Sequence, residues 1–360
     1  MNVLFLDQFS ELWGAQRCLV DLLPALEERG WQAAVALPGD GPLVKLLRER
    51  GVAVHPIPCG PYQSGGKSIA DVIRFRRDLR DQVSLLRSIH ADLIYVNGPR
   101  VLPAAALAFG GRTPVLFHAH NRVGGAIASW LARRSIRKMD ATVIACCQAV
   151  APGVRRDRLK IIANGTEDLG FRERAEKPLR IGIVGRVSPE KGQAEFLDAA
   201  RLLAPGFPDA QFVLCGAPIP PALRKLAEGL PVNFLGWRED VAPVLAELDL
   251  LAIPSKTEGM PRVMLEAFSA GVPVVAYPVG GIPEVIADNH TGFLVPERTA
   301  EALAARIRGV LMLPQGQLRT VAANARREWE RRYTVETYRK NVTDLMERLL
   351  LDWQAEHEKE

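Results

Sequence analysis

Two segments carry residue types whose spacing could do chemistry. The first is TEGMPRVMLEAFSAGVPVVA, residues 257–276, with Glu258 and Glu266 eight residues apart. Each carboxylate can accept two hydroxyl hydrogen bonds, which suits a sugar or a ribose. Between them, Pro261 is expected at the first position of a helix. The backbone N–H groups around Gly259 and Met260 would then open toward an anion such as a phosphate. The plain alternative makes Glu258 a loop carboxylate and Glu266 a solvated helix position. Against it, Glu266 sits between Leu265 and Ala267 in an otherwise apolar run. The second segment is IVGRVSPEKG, residues 183–192. A strand is expected to end at Gly185, with Ser188 and Pro189 as N-cap and first residue of the next helix. Arg186 and Lys191 would thereby hold two cations where a diphosphate could take their hydrogen bonds. Its plain alternative is a surface turn with solvated Arg and Lys.

Both segments need strand ends and helix starts to position them, and the chain supplies these throughout. Short apolar or β-branched runs alternate with amphipathic stretches. In the first half the strands are expected at residues 3–6, 33–37, 53–57, 93–96, 115–118 and 142–145. In the second they fall at 180–184, 211–215, 233–235, 250–253, 274–276 and 292–295. Strands separated by helices of 8–15 residues argue for parallel, doubly wound sheets. Twelve strands are too many for one such sheet, so two Rossmann-like domains are expected. In such sheets ligands bind at the carboxyl ends of the strands, which is where Glu258 and Gly185 fall.

The chain has 360 residues, 48% of them hydrophobic and 24% charged. That composition belongs to a globular protein of about two domains and excludes disorder or a disulfide scaffold. Between Asn164 and Pro178 the apolar periodicity stops and charge and turn formers accumulate. The expected division is residues 1–165, 166–333, and a terminal helix at 334–360 that returns to the first domain. The net charge of +5 hides an asymmetry, +9 over residues 1–165 and −4 over 166–360. Such asymmetry points toward an anionic partner for the first half, as an expectation. The five cysteines form no CxxC pair, there is no signal-like start and no apolar run of spanning length, so a cytoplasmic setting is expected. His118 and His120 have no cysteine or carboxylate nearby at ligand spacing, so no metal site is expected.

These motifs resemble glycosyltransferase family 4, retaining enzymes of the GT-B fold. The resemblance rests on GRVSPEKG (185–192), EGMPRVMLEAFSAGVPVVA (258–276), GGIPEVI with TGFLV (280–295) and IANGTED (162–168). It implies two Rossmann-like domains facing across a cleft, with a nucleotide-diphosphate sugar as co-substrate and no cofactor or metal. Arg186 and Lys191 would neutralise the donor diphosphate. Glu258 with the Gly259–Met260 backbone would hold the donor sugar, and Glu266 the ribose. The departing phosphate would itself deprotonate the acceptor. In the first domain WGAQ (13–16) stands where the family often has Gly-Gly-Ala, and Gly14 would let backbone approach a phosphate. His120 best matches the family's histidine at a strand end, touching donor sugar or acceptor. His118 and Asn97 are further acceptor-side candidates.

The expected acceptor is a glycan, a lipid-linked molecule or a small molecule. Arg74, Arg76, Arg77 and Arg80 share one expected helix. Arg133, Arg134, Arg137 and Lys138 share another with Trp130, and such basic amphipathic helices can rest on an anionic membrane. The alternative is a solvated charged face with Trp130 in the core. No RNA- or DNA-binding motif accompanies the charge, so nucleic acid is not expected as a partner. Rival readings are a nucleotide-sugar epimerase or hydrolase on the same fold, and a non-catalytic nucleotide-sugar-binding protein. A dehydrogenase would need a Gly-x-Gly-x-x-Gly turn, which neither Phe5–Gly14 nor Val184–Gly192 supplies.

Overall fold

The structure, a computed structural model, describes residues 1–60, 69–151, 153–172 and 179–357. Of the stretch expected to join the domains, residues 173–178 lie outside the described residues. The chain forms two units, Met1–Ala163 with the chain from Glu336 onward, and Asn164–Val335.

The first unit is built on seven strands. They are β1 (Asn2–Leu6), β2 (Gln32–Leu37), β3 (Ala53–Pro56), β4 (Leu93–Val96), β5 (Val115–Ala119), β6 (Thr142–Ala145) and β7 (Leu159–Ile161). All pairings are parallel, in the order β3-β2-β1-β4-β5-β6-β7. A parallel sheet is covered on both faces, so its central strands must be apolar throughout. LIYV of β4 and VLFHA of β5 are buried at every position. The helix Gly14–Glu28 presents Leu19, Leu22, Leu23 and Leu26 to the core beside Val3 and Phe5. The terminal helix Val335–His357 adds Tyr338, Val342, Leu345, Met346 and Leu349 to the same cluster. Arg29 pairs with Asp344 and Glu347 on that helix.

The second unit repeats the plan with six parallel strands. They are β8 (Arg180–Val184), β9 (Gln211–Cys215), β10 (Val232–Gly236), β11 (Leu250–Ile253), β12 (Val274–Ala276) and β13 (Phe293–Leu294). Their order is β10-β9-β8-β11-β12-β13. In both sheets the order reverses beside the first strand, between β1 and β4 and between β8 and β11, and such reversals open crevices at the strands' carboxyl ends. Residues 166–168 are tied to this unit: Trp329 donates Nε1–H to Thr166 Oγ1 at 2.8 Å, and Arg326 pairs with Asp168.

Several local expectations change. A thirteenth strand, β7, reads Leu-Lys-Ile after the charged run 155–158; at a sheet edge three residues suffice, and no long apolar run announces it. The charged segment 326–333, ahead of the terminal helix, lies largely within a helix of its own, Gln315–Arg332. Val321, Ala322, Ala325 and Trp329 form its narrow buried stripe. Trp130 does not enter the core; it is 51% exposed, with the Arg134 guanidinium 5.7 Å from its ring centroid. Among the described residues no helix is long and apolar enough to cross a membrane.

Candidate functional site

In the second unit, the turn after β8 and the loop after β11 are laced together at the reversal of strand order. The first turn after β8 is a 3-10 turn, Pro189–Lys191, and the α-helix begins only at Gln193. Ser188 therefore caps the short turn, without a side-chain cap, and Gly192 occupies the N-cap of the α-helix. This corrects the expected helix start at Pro189. The reason lies in Gly192, whose φ of +76° breaks the helical path. A Cβ there would come 2.1 Å from the Pro254 carbonyl oxygen, so only glycine lets this turn approach the end of β11 so closely. Lys256 N–H donates to the Glu190 carbonyl at 2.7 Å and locks the approach.

Lys191 and Glu258 meet across that contact. The Lys191 ammonium donates to Glu258 Oε1 at 2.7 Å, with side-chain exposures of 30% and 7%. Gln193 organises the rest of the turn from a buried position. Its Nε2 donates to the Arg186 carbonyl at 3.0 Å, and its Oε1 accepts from Ser188 N–H at 3.3 Å. Gln193 went unnoticed in the sequence because a lone Gln in a first helical turn carries no signal. The Arg186 side chain is exposed.

The loop 258–261 is shaped by its own neighbours. Gly281 N–H donates to the Gly259 carbonyl at 2.7 Å, and Asn164 Nδ2 donates to the Met260 carbonyl at 2.9 Å. Gly280, at φ +58°, passes so near that a Cβ would lie 1.9 Å from the Glu258 carbonyl oxygen. The following helix is Arg262–Ala270, and Pro261 is its N-cap, with φ −66° and ψ 121°. Pro261 was expected one position further in; its extended ψ excludes it from the helix proper. Glu266 is one turn into this helix, 15% exposed at its side chain, with Arg262 Nε 3.8 Å from Oε1. Glu258, Gly259, Met260, Pro261, Lys191, Gly185 and Arg186 thus gather at the carboxyl ends of β8 and β11, with Glu266 on the helix behind.

The first unit has its own polar cluster at its reversal of strand order. Asp7, Asn97 and His120 each directly follow a strand, β1, β4 and β5, and these three strands are neighbours. Asn97 Nδ2 donates to Asp7 Oδ2 at 2.6 Å and to the Ala15 carbonyl at 3.1 Å. Asn97 Oδ1 lies 2.8 Å from His120 Nε2. Asp7 Oδ1 accepts from Gln16 Nε2 at 2.8 Å and from Phe9 N–H at 2.9 Å. Burial pushes the Asp7 carboxyl up to about 6, against the opposing pull of Asn97 and Gln16. Asp7 was missed in the sequence because one acid after a strand looks like any turn residue. His118 is fully enclosed, with Nδ1 2.6 Å from the Tyr95 hydroxyl and its ring 3.8 Å from that of His120. Burial, and then the neighbouring His120 ring, hold its pKa well below the ordinary histidine value. Gly14 opens the helix Gly14–Glu28 and is exposed. Among the described residues, no group of three or more His, Cys, Asp or Glu could hold a metal ion.

Comparison with known proteins covers both units. The Glycosyltransferase Family 4 domain model matches residues 13–168, and that of Glycosyl transferases group 1 matches residues 178–312. Sulfoquinovosyl transferase SQD2 of Arabidopsis thaliana is 26% identical over 90% of this chain and 68% of its own length. Alpha-maltose-1-phosphate synthase of Mycolicibacterium smegmatis is 31% identical over 60% of this chain and 63% of its own. Across the first curated relatives the matched part spans 53–68% of their length. Among solved structures, Anabaena HepE in complex with UDP and glucose superposes with a TM-score of 0.80 at 26% identity, covering 96% of this chain and 99% of that one. Sucrose-phosphate synthase from Thermosynechococcus elongatus shares the fold, with a TM-score of 0.79 at 17% identity.

Proposed function

This chain belongs to the glycosyltransferases of group 1 and family 4, with two GT-B-type Rossmann-like domains, and from that premise we propose that it moves a sugar from a nucleotide-diphosphate donor to an acceptor hydroxyl, with retention and without a metal. The observation that carries the reading is the Lys191–Glu258 contact where β8 and β11 end, with Arg186 in the same turn as Lys191. A cation and a carboxylate side by side suit a ligand with an anionic end and a hydroxyl-rich end.

In this reading the donor diphosphate takes the ammonium of Lys191 and the guanidinium of Arg186. Glu258 then turns its carboxylate to the hydroxyls of the donor sugar, and Glu266 to the ribose. The bond between the anomeric carbon and the diphosphate oxygen breaks, and its electron pair stays on that oxygen. The two cations, once on the diphosphate, stabilise the charge that develops there. The acceptor oxygen bonds to the anomeric carbon from the same face, and its proton passes to the departing diphosphate. HepE was solved with UDP and with UDP-glucose, so uridine nucleotides are the first donors to test.

The first unit is assigned the acceptor, with His120, Asn97 and Gly14 on that side; His118, the further candidate, is fully enclosed beside Tyr95 and is left out. Its exposed surface favours an anionic membrane as the place of the acceptor. Ile127 and Trp130 on the helix Ala126–Lys138 are 75% and 51% exposed, and Ile69 and Ile73 on Ile69–Leu86 are 82% and 63% exposed. Arg74, Arg76, Arg77 and Arg80, with Arg133, Arg134, Arg137 and Lys138, are exposed on the same two helices. The helix Leu102–Ala108 lies between them and touches both.

A thermal-shift screen of nucleotides and nucleotide sugars tests the donor assignment, since a ligand at 100 times its Kd stabilises by about 2.7 kcal/mol. Turnover with the best donor, followed by NMR of the product anomer, tests retention. Loss of that turnover in EDTA would contradict the metal-independent reading.

A further inference from the structure

The cluster Asp7, Asn97 and His120 has a direction built into it. Asn97 Nδ2 faces two oxygens, Asp7 Oδ2 at 2.6 Å and the Ala15 carbonyl at 3.1 Å. The Ala15 carbonyl can only accept, and so can an ionised Asp7 carboxylate, so the amide cannot be turned around without setting oxygen against oxygen. Its own oxygen therefore points at His120 Nε2, 2.8 Å away. A carbonyl oxygen accepts and does not donate, so the hydrogen-bond network assigns the proton to Nε2. The other nitrogen, Nδ1, is then the basic one in the neutral ring. Asp7 is itself held: its second oxygen accepts from Gln16 Nε2 and Phe9 N–H, and the residue is completely buried.

We propose that Asp7 is a positioning residue that, through Asn97, fixes His120 in the Nε2-protonated form and so presents Nδ1 as a hydrogen-bond acceptor for a sugar hydroxyl. The role given to Nδ1 rests on the reading that His120 serves the transfer reaction; the tautomer itself does not. Nothing in the order of residues along the chain links Asp7 to His120, which are more than a hundred residues apart. The link exists because β1, β4 and β5 are neighbours and each ends one residue before its member of the chain. In such arrangements the partner of one ring nitrogen decides what the other can do.

Asp7→Asn is the informative variant, because it keeps shape and removes one acceptor. The new amide oxygen is drawn to the side with two donors, Phe9 N–H and Gln16 Nε2. Its NH2 then faces Asn97 Nδ2. A flip of Asn97 relieves that clash but sets its oxygen against the Ala15 carbonyl, 3.1 Å away. Neither orientation of the amide is then held as it is beside the carboxylate, and the flipped one, which offers NH2 to His120, becomes populated. Protein labelled with 15N-histidine reports the tautomer directly, with the His120 signals identified by their loss in His120→Gln. In the unaltered protein Nε2 is expected to carry the proton, and in folded Asp7→Asn the population shifts toward Nδ1–H. An Nδ1-protonated His120 in the unaltered protein overturns the proposal, and that measurement stands even if Asp7→Asn does not fold. An unchanged tautomer in folded Asp7→Asn overturns the part assigned to Asp7. Turnover is read separately: Asp7→Asn is expected to lower kcat at least tenfold with little change in donor KM. A shifted tautomer with unchanged kcat would overturn the role of Nδ1 in transfer while supporting the positioning by Asp7.

Discussion

Nζ of Lys191 and Oε1 of Glu258 lie 2.7 Å apart although the residues are 67 positions apart in the chain. Glu258 is almost wholly enclosed, at 7% side-chain exposure, with that ammonium as its ion-pair partner. A buried carboxylate deprived of its cation is costly. A diphosphate entering the site would compete for the same ammonium and loosen Glu258 for hydroxyls.

Lys191→Ala is therefore expected to reduce kcat about 10²–10³-fold, the usual loss when one charge-stabilising donor is removed. Steady-state kinetics with the best donor checks this, alongside far-UV CD to confirm folding. Turnover within threefold of the unaltered enzyme would refute the assignment of Lys191 to the diphosphate.

Glu266→Ala should weaken nucleotide binding by roughly 10–100-fold, matching about 1.5–3 kcal/mol for hydrogen bonds to a charged group. Calorimetry with a nucleoside diphosphate and its 2′,3′-dideoxy counterpart separates the causes. If Glu266 holds the ribose, the variant loses affinity only for the nucleotide that has both hydroxyls.

Gly280→Ala tests the backbone contact under Glu258. The residue sits at φ +58°, and a Cβ would lie 1.9 Å from the Glu258 carbonyl oxygen. Strain and overlap together should cost about 1–3 kcal/mol and lower Tm by several degrees. An unchanged Tm would mean that the loop has room to retreat.

The Asp7 carboxyl sets a pH dependence with a definite sign. Its folded-state pKa, raised by burial from 3.8 to about 6, lies above the unfolded value. The folded state then binds more protons between those values, so this group's contribution to stability falls as pH rises through about 4–6. Above that window the whole penalty is present, on the order of 3 kcal/mol. Relative to the unaltered protein, Asp7→Asn should gain stability as pH rises from 4 to 6.5 in paired thermal melts. A difference that is flat across this range would remove Asp7 as the titrating group.

Liposomes containing anionic lipid test the basic face of the first unit. Each Lys or Arg near such a surface contributes about 1 kcal/mol. Replacing Arg133, Arg134, Arg137 and Lys138 by Gln should thus lower partitioning at least tenfold, and Trp130→Ala should lower it further. Absence of binding at low salt by the unaltered protein would end the membrane reading.

How much of this was legible in sequence follows from how local each signal is. Val3–Leu6, Leu93–Val96 and Leu250–Ile253 declare themselves as strands because a parallel sheet buries both of their faces. The run TEGMPRVMLEAFSAGVPVVA marks its site because glycine, proline and two acids fall at fixed offsets around one helix start. β7 and the helix Gln315–Arg332 stayed hidden, since an edge strand of three residues and a helix with a narrow buried stripe need few apolar side chains. The exact helix starts also escaped: Gly192 and Pro261 take their places from contacts with the neighbouring loop and from ψ, neither of which residue type alone decides.

Sequence by itself thus determined two doubly wound sheets, the strand ends where chemistry collects, and the residue types available there, all properties of short segments. Tertiary structure alone decided which of those residues face one another. It set Lys191 against Glu258, clamped the Arg186 turn with Gln193, and joined Asp7 to His120 through Asn97. The physical reason is the strand order: a parallel sheet sets distant segments side by side at one edge. Hydrogen bonds of a few ångströms there depend on that adjacency, which no local pattern of residues encodes.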